Sequence, residues 1–232
     1  MSGLKAGVIV FPGTNCDRDT YRAIREVMGI DVDYVWYEKK TLRDYQLVVV
    51  PGGFSYGDYL RAGALARFSP VMDALQAYTE RKGLILGICN GFQILLEAKL
   101  LPGAMQRNKT LKFICRDVYL RVERNDTPFT LLYKKGDVLR VPIAHAEGNY
   151  YAPDTVIRAA EDDGQVVFRY TDEHGNATEP ANPNGSINNI AGVCSADAAI
   201  LAMMPHPERA SDRLLGSEDG RKLFLSIKKA LR

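Results

Sequence analysis

A chain of 232 residues, 46% hydrophobic and 25% charged, can bury a large core, and this composition excludes a disordered chain. Its 30 Lys and Arg nearly cancel its 28 Asp and Glu, leaving +2, so nothing suggests the concentrated basic face of a dedicated nucleic-acid binder. Apolar runs such as Leu47–Val50 stop far short of the roughly 20 residues a membrane-spanning helix needs, and residues 6–11 end at Pro12-Gly13 without a signal-peptide cleavage pattern; the cytoplasm is the expected compartment.

Residues 7–11 read as a buried parallel strand. Thr20, Ala23, Ile24, Val27 and Met28 then follow helical spacing, with Gly29 suited to the position just past the helix. Residues 32–36 and Leu47–Val50 are strand-like, and the second run ends at Pro51-Gly52-Gly53. Val71, Ala74, Leu75 and Tyr78 make a helical stripe, Leu84–Ile88 another buried strand, and residues 92–98 an apolar helix. This alternation predicts a mostly parallel sheet flanked by helices.

From about residue 111 the texture changes. Residues 113–122, 137–142, 155–159 and 165–170 read as strands separated by turn clusters such as Asn182-Pro183-Asn184-Gly185. Ile190–Cys194 and residues 199–203 suggest a hairpin that turns near Ala196-Asp197, and these antiparallel strands are expected to extend the same sheet. Leu223, Ile227, Ala230 and Leu231 share one face of a closing helix, for which Ser217 is the expected N-cap. No repeat or long linker divides the chain, so residues 1–232 are expected to form one domain, of class α/β with appended antiparallel strands.

Four widely spaced cysteines, 16, 89, 115 and 194, contain no C-x-x-C pair, so neither a metal site nor a disulfide framework is expected. Cys89 has the strongest context. Gly87-Ile88-Cys89-Asn90-Gly91 joins a strand to a helix in the G-x-C-x-G form, the cysteine counterpart of a nucleophile elbow. Such a turn is strained, needs small neighbours, and projects its side chain into the crevice at the strand's C-terminal end. The helix N-terminus that follows favours a thiolate, the attacking species. For an arbitrary cysteine a buried structural role would be the better reading. Cys16 lies near the same sheet edge but has no evident base, while Cys115 and Cys194 read as small core residues and His174 as part of a polar turn.

A cysteine nucleophile needs a base and an oxyanion hole. In Met203-Met204-Pro205-His206-Pro207-Glu208-Arg209, Pro207 biases His206 towards an extended backbone, which puts the side chains of residues 206 and 208 on one side. Glu208 can then orient the imidazole. After the third strand, the Gly52-Gly53 pair can turn bare N–H groups into the crevice, so the N–H groups of Gly53 and Asn90 are the candidate oxyanion donors. Each of these features has an ordinary structural reading alone: a surface histidine in a Pro-rich turn, a Gly turn after a strand.

Taken in order, the Gly-Gly loop, the G-x-C-x-G elbow and the His-Pro-Glu near the C-terminus resemble the class I, triad-type glutamine amidotransferases. Longer strings, Gly52-Gly53-Phe54-Ser55-Tyr56-Gly57-Asp58 and Cys89-Asn90-Gly91-Phe92-Gln93, are similar to the glutaminase subunits that serve an ATP-dependent synthetase of purine synthesis. The resemblance implies a flavodoxin-like fold and a catalytic triad of Cys89, His206 and Glu208, with Cys89 forming a γ-glutamyl thioester. It implies that Gln93 contacts glutamine, and that His145, in Ala144-His145-Ala146-Glu147-Gly148, lies beside the glutamine pocket; family members more often carry Gly where Ala146 stands. It implies no cofactor in this chain, with ATP and magnesium on a large synthetase subunit, and in some organisms a small bridging subunit as second partner. The chain itself has neither a P-loop nor a dinucleotide fingerprint. Two other readings remain open: another elbow-cysteine hydrolase or glyoxalase-like enzyme, whose histidine usually follows the cysteine directly where this chain has Asn90, and a non-catalytic interaction module.

Overall fold

A computed structural model describes residues 3–81 and 83–232. Its main sheet has nine strands: β1 (Lys5–Val10), β2 (Asp31–Trp36), β3 (Leu47–Val50), β4 (Leu84–Ile88), β6 (Ile114–Val122), β7 (Val138–His145), β9 (Val166–Thr171), β10 (Ile190–Cys194) and β11 (Ile200–Met203). They lie in the order β2-β1-β3-β4-β11-β10-β9-β6-β7, and two short strands, β5 (Ala104–Gln106) and β8 (Asn149–Tyr151), pair separately. The helices are α1 (Asp17–Ala23), α2 (Pro70–Thr79), α3 (Asn90–Glu97), α4 (Asp154–Asp162) and α5 (Arg221–Ala230).

Two pairing regimes meet in this sheet. The first five strands in spatial order are parallel, from β2 through β11, and the remaining four pairings are antiparallel. Every residue of β3 and β4 is buried, as expected when helices cover both faces of a parallel sheet. Chain order reverses at β1 and β3, where ligands characteristically settle at the carboxyl ends of such strands. β11, made from residues near the C-terminus, lies between β4 and β10 and joins the two regimes.

α2 buries its stripe of Val71, Ala74, Leu75 and Tyr78. α1 runs on into a π-helical turn, Ile24–Met28, and stops at Gly29 with φ 61°. α3 is buried from Asn90 to Leu96. At about 1.5–3 kcal/mol for each fully buried large apolar side chain, Phe92, Ile94, Leu95 and Leu96 hold this helix in place; it packs on β3 and β4, while Phe92 stacks on Tyr150 of β8.

Three local expectations are corrected. Residues 155–159 are not a strand but the middle of α4: Ile157 and Ala160, three apart, are its buried residues, and this helical spacing outweighs the β-branched Thr155-Val156-Ile157 run. Ser217 does not cap α5, whose N-cap is Gly220; its Oγ donates to the Arg140 carbonyl at 2.9 Å and accepts from the Asp219 N–H at 3.1 Å. Cys115 is exposed rather than core, because β6 pairs with β9 only from Tyr119 onward, so residues 114–118 pair with β7 alone.

Candidate active site

The loops after β3, β4 and β11 converge. Cys89 leaves β4 with φ 50° and ψ −106°, a backbone conformation that costs a non-glycine residue on the order of 1–3 kcal/mol. It is held there from several sides. The Cys89 N–H donates to the Met203 carbonyl of β11 at 2.8 Å, and the N–H groups of Phe92 and Gln93 donate back to the Cys89 carbonyl at 2.9 and 3.2 Å. A Cβ at position 91 would collide with the Val50 carbonyl, so only glycine lets α3 press this closely on the end of β3.

His206 follows β11, and its backbone N–H donates to the Pro142 carbonyl of β7 at 2.9 Å. Its Nδ1 meets Glu208 Oε1 at 2.7 Å, and both side chains are essentially sealed from solvent. Burial opposes charge on the imidazole, but the Glu208 carboxylate and the Cys89 sulfur outweigh it and hold the His206 pKa up at about 10. His206 is therefore an imidazolium at neutral pH, with Nε2 free of any hydrogen-bond acceptor among the described residues. The ring packs over Gly52, where an added Cβ would lie 2.8 Å from His206 Cε1.

Gly53 has φ 144° and bridges to Thr14 in the loop after β1. Among the described hydrogen bonds, neither its N–H nor that of Asn90 donates to a protein acceptor, which leaves both open to an oxyanion.

A pocket of about 190 Å³ opens over Cys89. Gly53, Phe54 and Asp58 form one wall, and Gln93 with residues 144–147 the opposite one. β7 is the far edge of the sheet, four places from β11, yet Cys89 Sγ lies 3.7 Å from the Ala144 carbonyl. The antiparallel half therefore curls back to close the site.

The Gln93 amide is engaged at both ends. Its Oε1 accepts from Asn90 Nδ2 at 2.9 Å, and its Nε2 donates to the Glu147 carbonyl at 2.5 Å. The side chain thus ties the elbow helix to the far wall, and it is this fixed amide that faces the pocket. His145 is buried on that wall. Asn108 Oδ1 accepts from the Gly148 N–H at 3.0 Å, while Asn108 Nδ2 donates to the carbonyls of His145 and Lys112. The 3.1 Å contact to His145 Nδ1 must therefore have the histidine as donor, which leaves Nε2 as a bare acceptor. That atom is buried without a partner. Burial, and then the charge of His206, lower the His145 pKa to about 4, so the ring is neutral. Ala146 is not among the positive-φ residues, so an alanine fits this loop without strain.

Sequence reasoning did not single out the carboxylates of the pocket. Burial and neighbouring Glu147 push the Asp58 pKa up to about 6, and Asp58 Oδ1 accepts from Asn90 Nδ2 at 3.3 Å. Glu147 Oε2 accepts from the Ala62 N–H at 3.3 Å. Both residues stood inside the quoted motifs; the signal would have been two acids in segments expected to converge on one cysteine.

A strained cysteine, an imidazolium held by a carboxylate and two open N–H groups are an arrangement that can serve as nucleophile, acid–base and oxyanion site. The family model of the CobB/CobQ-like glutamine amidotransferase domain matches residues 4–222. The chain belongs to that family. Curated relatives carry the name phosphoribosylformylglycinamidine synthase subunit PurQ. The protein from Chlorobium luteolum is 53% identical over 98% of both chains, and that from Aquifex aeolicus 51% identical over 97% of this chain and 99% of its own. Among solved structures, a chain of PurLQS from Thermotoga maritima superposes with a TM-score of 0.88 at 45% identity, covering all of both chains. A glutamine amidotransferase from Thermotoga maritima, 19% identical, shares the fold at a TM-score of 0.53, covering all of this chain and 94% of its own. Glutamine amidotransferase chemistry and the α/β class are thus shared with these relatives. Among the described residues no helix is long and apolar enough to cross a membrane.

Proposed function

We propose that this chain, acting as one domain over residues 1–232, is the glutaminase subunit of a phosphoribosylformylglycinamidine synthase. It works in the cytoplasm beside a large ATP- and magnesium-using subunit and, where present, a small bridging subunit. The observation that carries the reading is the strained Cys89 beside an imidazolium–carboxylate pair, in a chain about half identical to the named subunits over its whole length.

The geometry supports the following reaction. The Cys89 thiolate attacks the side-chain carbonyl carbon of glutamine, and the N–H groups of Gly53 and Asn90 receive the oxyanion. His206 gives its proton to the amide nitrogen, the C–N bond breaks, and ammonia leaves behind a γ-glutamyl thioester. His206, now neutral, takes a proton from water as the water attacks; the C–S bond breaks and glutamate is released. Glutamine plus water thus becomes glutamate plus ammonia. Glu208 holds the Nδ1 proton throughout, so the proton given and taken is always the one at Nε2. Gln93 and His145 face the bound glutamine from the far wall. The ammonia serves the synthetase subunit, which converts formylglycinamide ribonucleotide to formylglycinamidine ribonucleotide.

The test is glutamate release from glutamine by the full chain, with and without the synthetase subunits, their ribonucleotide substrate and ATP. Release should depend on Cys89 and rise with the partners. In Cys89→Ala the assembled complex should lose glutamine-dependent synthesis and keep ammonia-dependent synthesis. Unchanged glutamine use by that variant would overturn the proposal.

A further inference from the structure

Beside the triad lies a second thiol that the proposed reaction does not use. Cys16 precedes α1 and is buried, and its N–H donates to the Gly52 carbonyl at 3.2 Å. Ligating atoms of Cys16, His206 and Glu208 all lie within 4.8 Å of one another. Glu208 Oε1 is taken by His206, but Glu208 Oε2 is buried without a hydrogen-bond partner among the described residues, in a residue only 2% exposed. Triad chemistry needs one oxygen of that carboxylate and leaves the second unexplained.

We infer that Cys16, His206 and Glu208 form an inhibitory site for a thiophilic divalent cation, with Zn²⁺ as its natural occupant. One sulfur, one imidazole nitrogen and one carboxylate oxygen make up a three-ligand zinc set with the fourth position open to water. A tetrahedral zinc with bonds of 2.0–2.3 Å spaces its ligand atoms by roughly 3.5 Å, so atoms within 4.8 Å of one another need to close by about 1.3 Å at most.

Charge also balances. Thiol, imidazolium and carboxylate sum to zero. Thiolate, neutral imidazole, carboxylate and Zn²⁺ also sum to zero, with two protons released to solvent. The cation enters a buried site without leaving net charge there. Burial and the Glu208 charge disfavour a thiolate at Cys16, and Arg209, with Nη2 3.1 Å from Cys16 Sγ, works against them; its own charge is offset by Asp19, whose Oδ2 accepts from Arg209 Nε at 3.1 Å. Spacing along the chain gave no hint of this site, because its ligands come from the turns after β1 and β11 and meet only in the fold. Binding would take both the acid–base and its carboxylate out of catalysis.

The test uses Co²⁺ and Zn²⁺ on the full chain. A Cys89→Ser/Cys115→Ser background removes the nucleophile and the exposed thiol as competing ligands. One Co²⁺ per chain should bind there and give a thiolate-to-cobalt charge-transfer band. The band should vanish on adding Cys16→Ser, and His206→Ala should weaken Zn²⁺ binding at least tenfold in competition with a chromophoric chelator. Absence of the band in the Cys89→Ser/Cys115→Ser chain, or its survival without Cys16, overturns the site. That background needs no change in the buried cluster, so the result stands even where Cys16→Ser fails to fold. In the otherwise native protein, half-inhibition of glutamate release should need at least tenfold more Zn²⁺ after Cys16→Ser, and an unchanged requirement overturns the inhibitory role. The inhibition arm rests on the glutaminase reading, whereas the cobalt band does not. A zinc-free chain with no glutaminase activity would therefore fail the functional proposal while leaving the metal site to be judged by its spectrum.

Discussion

Replacing Glu208 by glutamine removes the charge that holds His206 protonated and keeps nearly the same shape. In the native chain the 2.7 Å contact and the Cys89 sulfur keep the His206 pKa at about 10, against a burial effect that works downward. Without the carboxylate, burial is opposed only by Cys89, and the pKa should fall to 6.5 or below. A fall of that size is worth about 5 kcal/mol. This agrees with the roughly 3–5 kcal/mol that breaking a buried ion pair costs. The glutamine amide can also donate to Nδ1, which moves the ring proton to Nε2 and removes the lone pair that must accept a proton from water. Together these effects should lower glutamate release by about 10³–10⁴-fold. Two assays read the effect: steady-state glutamate release in the assembled complex, and NMR titration of the His206 ring. Stability should respond in a definite direction. A histidine whose folded pKa exceeds its unfolded value contributes stability that is complete below pH 6.5 and is lost as pH rises towards 10. Native stability should therefore decline across that interval, and Glu208→Gln should flatten the decline. A variant that kept the His206 pKa above 9, or released glutamate within tenfold of the native rate, would refute this reasoning.

The elbow strain makes Cys89→Gly more stable than Cys89→Ala by about 1–3 kcal/mol, measured by chemical denaturation of the two inactive chains; equal stabilities would mean the φ of 50° is not strained. Gly52→Ala should cost on the order of 10²-fold in glutamate release, because the new methyl group would displace the His206 ring; a rate within threefold of native would show the ring can yield without penalty. His145, neutral with a pKa of about 4, contributes stability that is lost as pH falls from 6.5 to 4. Asp58, raised to about 6, acts in the opposite sense over nearly the same interval, so the histidine is read as the difference between His145→Gln and native melting curves, which should converge towards pH 4. Parallel curves would contradict a buried neutral ring.

The parallel half was legible from short apolar runs because both of its faces are covered and little else can be apolar there. Leu47–Val50 and Leu84–Ile88 were read with the bounds they have in the structure. The elbow was legible for a different reason: few settings demand small residues on both sides of a cysteine between a strand and a helix. α4 was missed because three residues of a helix that buries only one side look like part of a strand, and only a longer window shows the period. Asp58 and Glu147 were passed over because a carboxylate in a loop is ordinarily solvated. Their pairing over one pocket depends on β7 returning to the site, which no local pattern encodes. The proximity of Cys16 to Glu208 is invisible in the sequence for the same reason: nearly two hundred residues separate them.

The placement of β11 also bears on how the protein is made. The strand that bridges the parallel and antiparallel halves comes from residues 200–203, and the turn that follows it carries His206 and Glu208. Until these residues have left the ribosome, β4 and β10 each present an unpaired edge whose residues are all destined for burial. Such edges pair readily with other chains. The nascent protein is therefore at its most aggregation-prone until β11 has emerged, and shielding of those edges by a chaperone would matter most just before that point. By the same arrangement, a chain truncated before β11 lacks its central strand together with the histidine and carboxylate proposed as its acid–base pair.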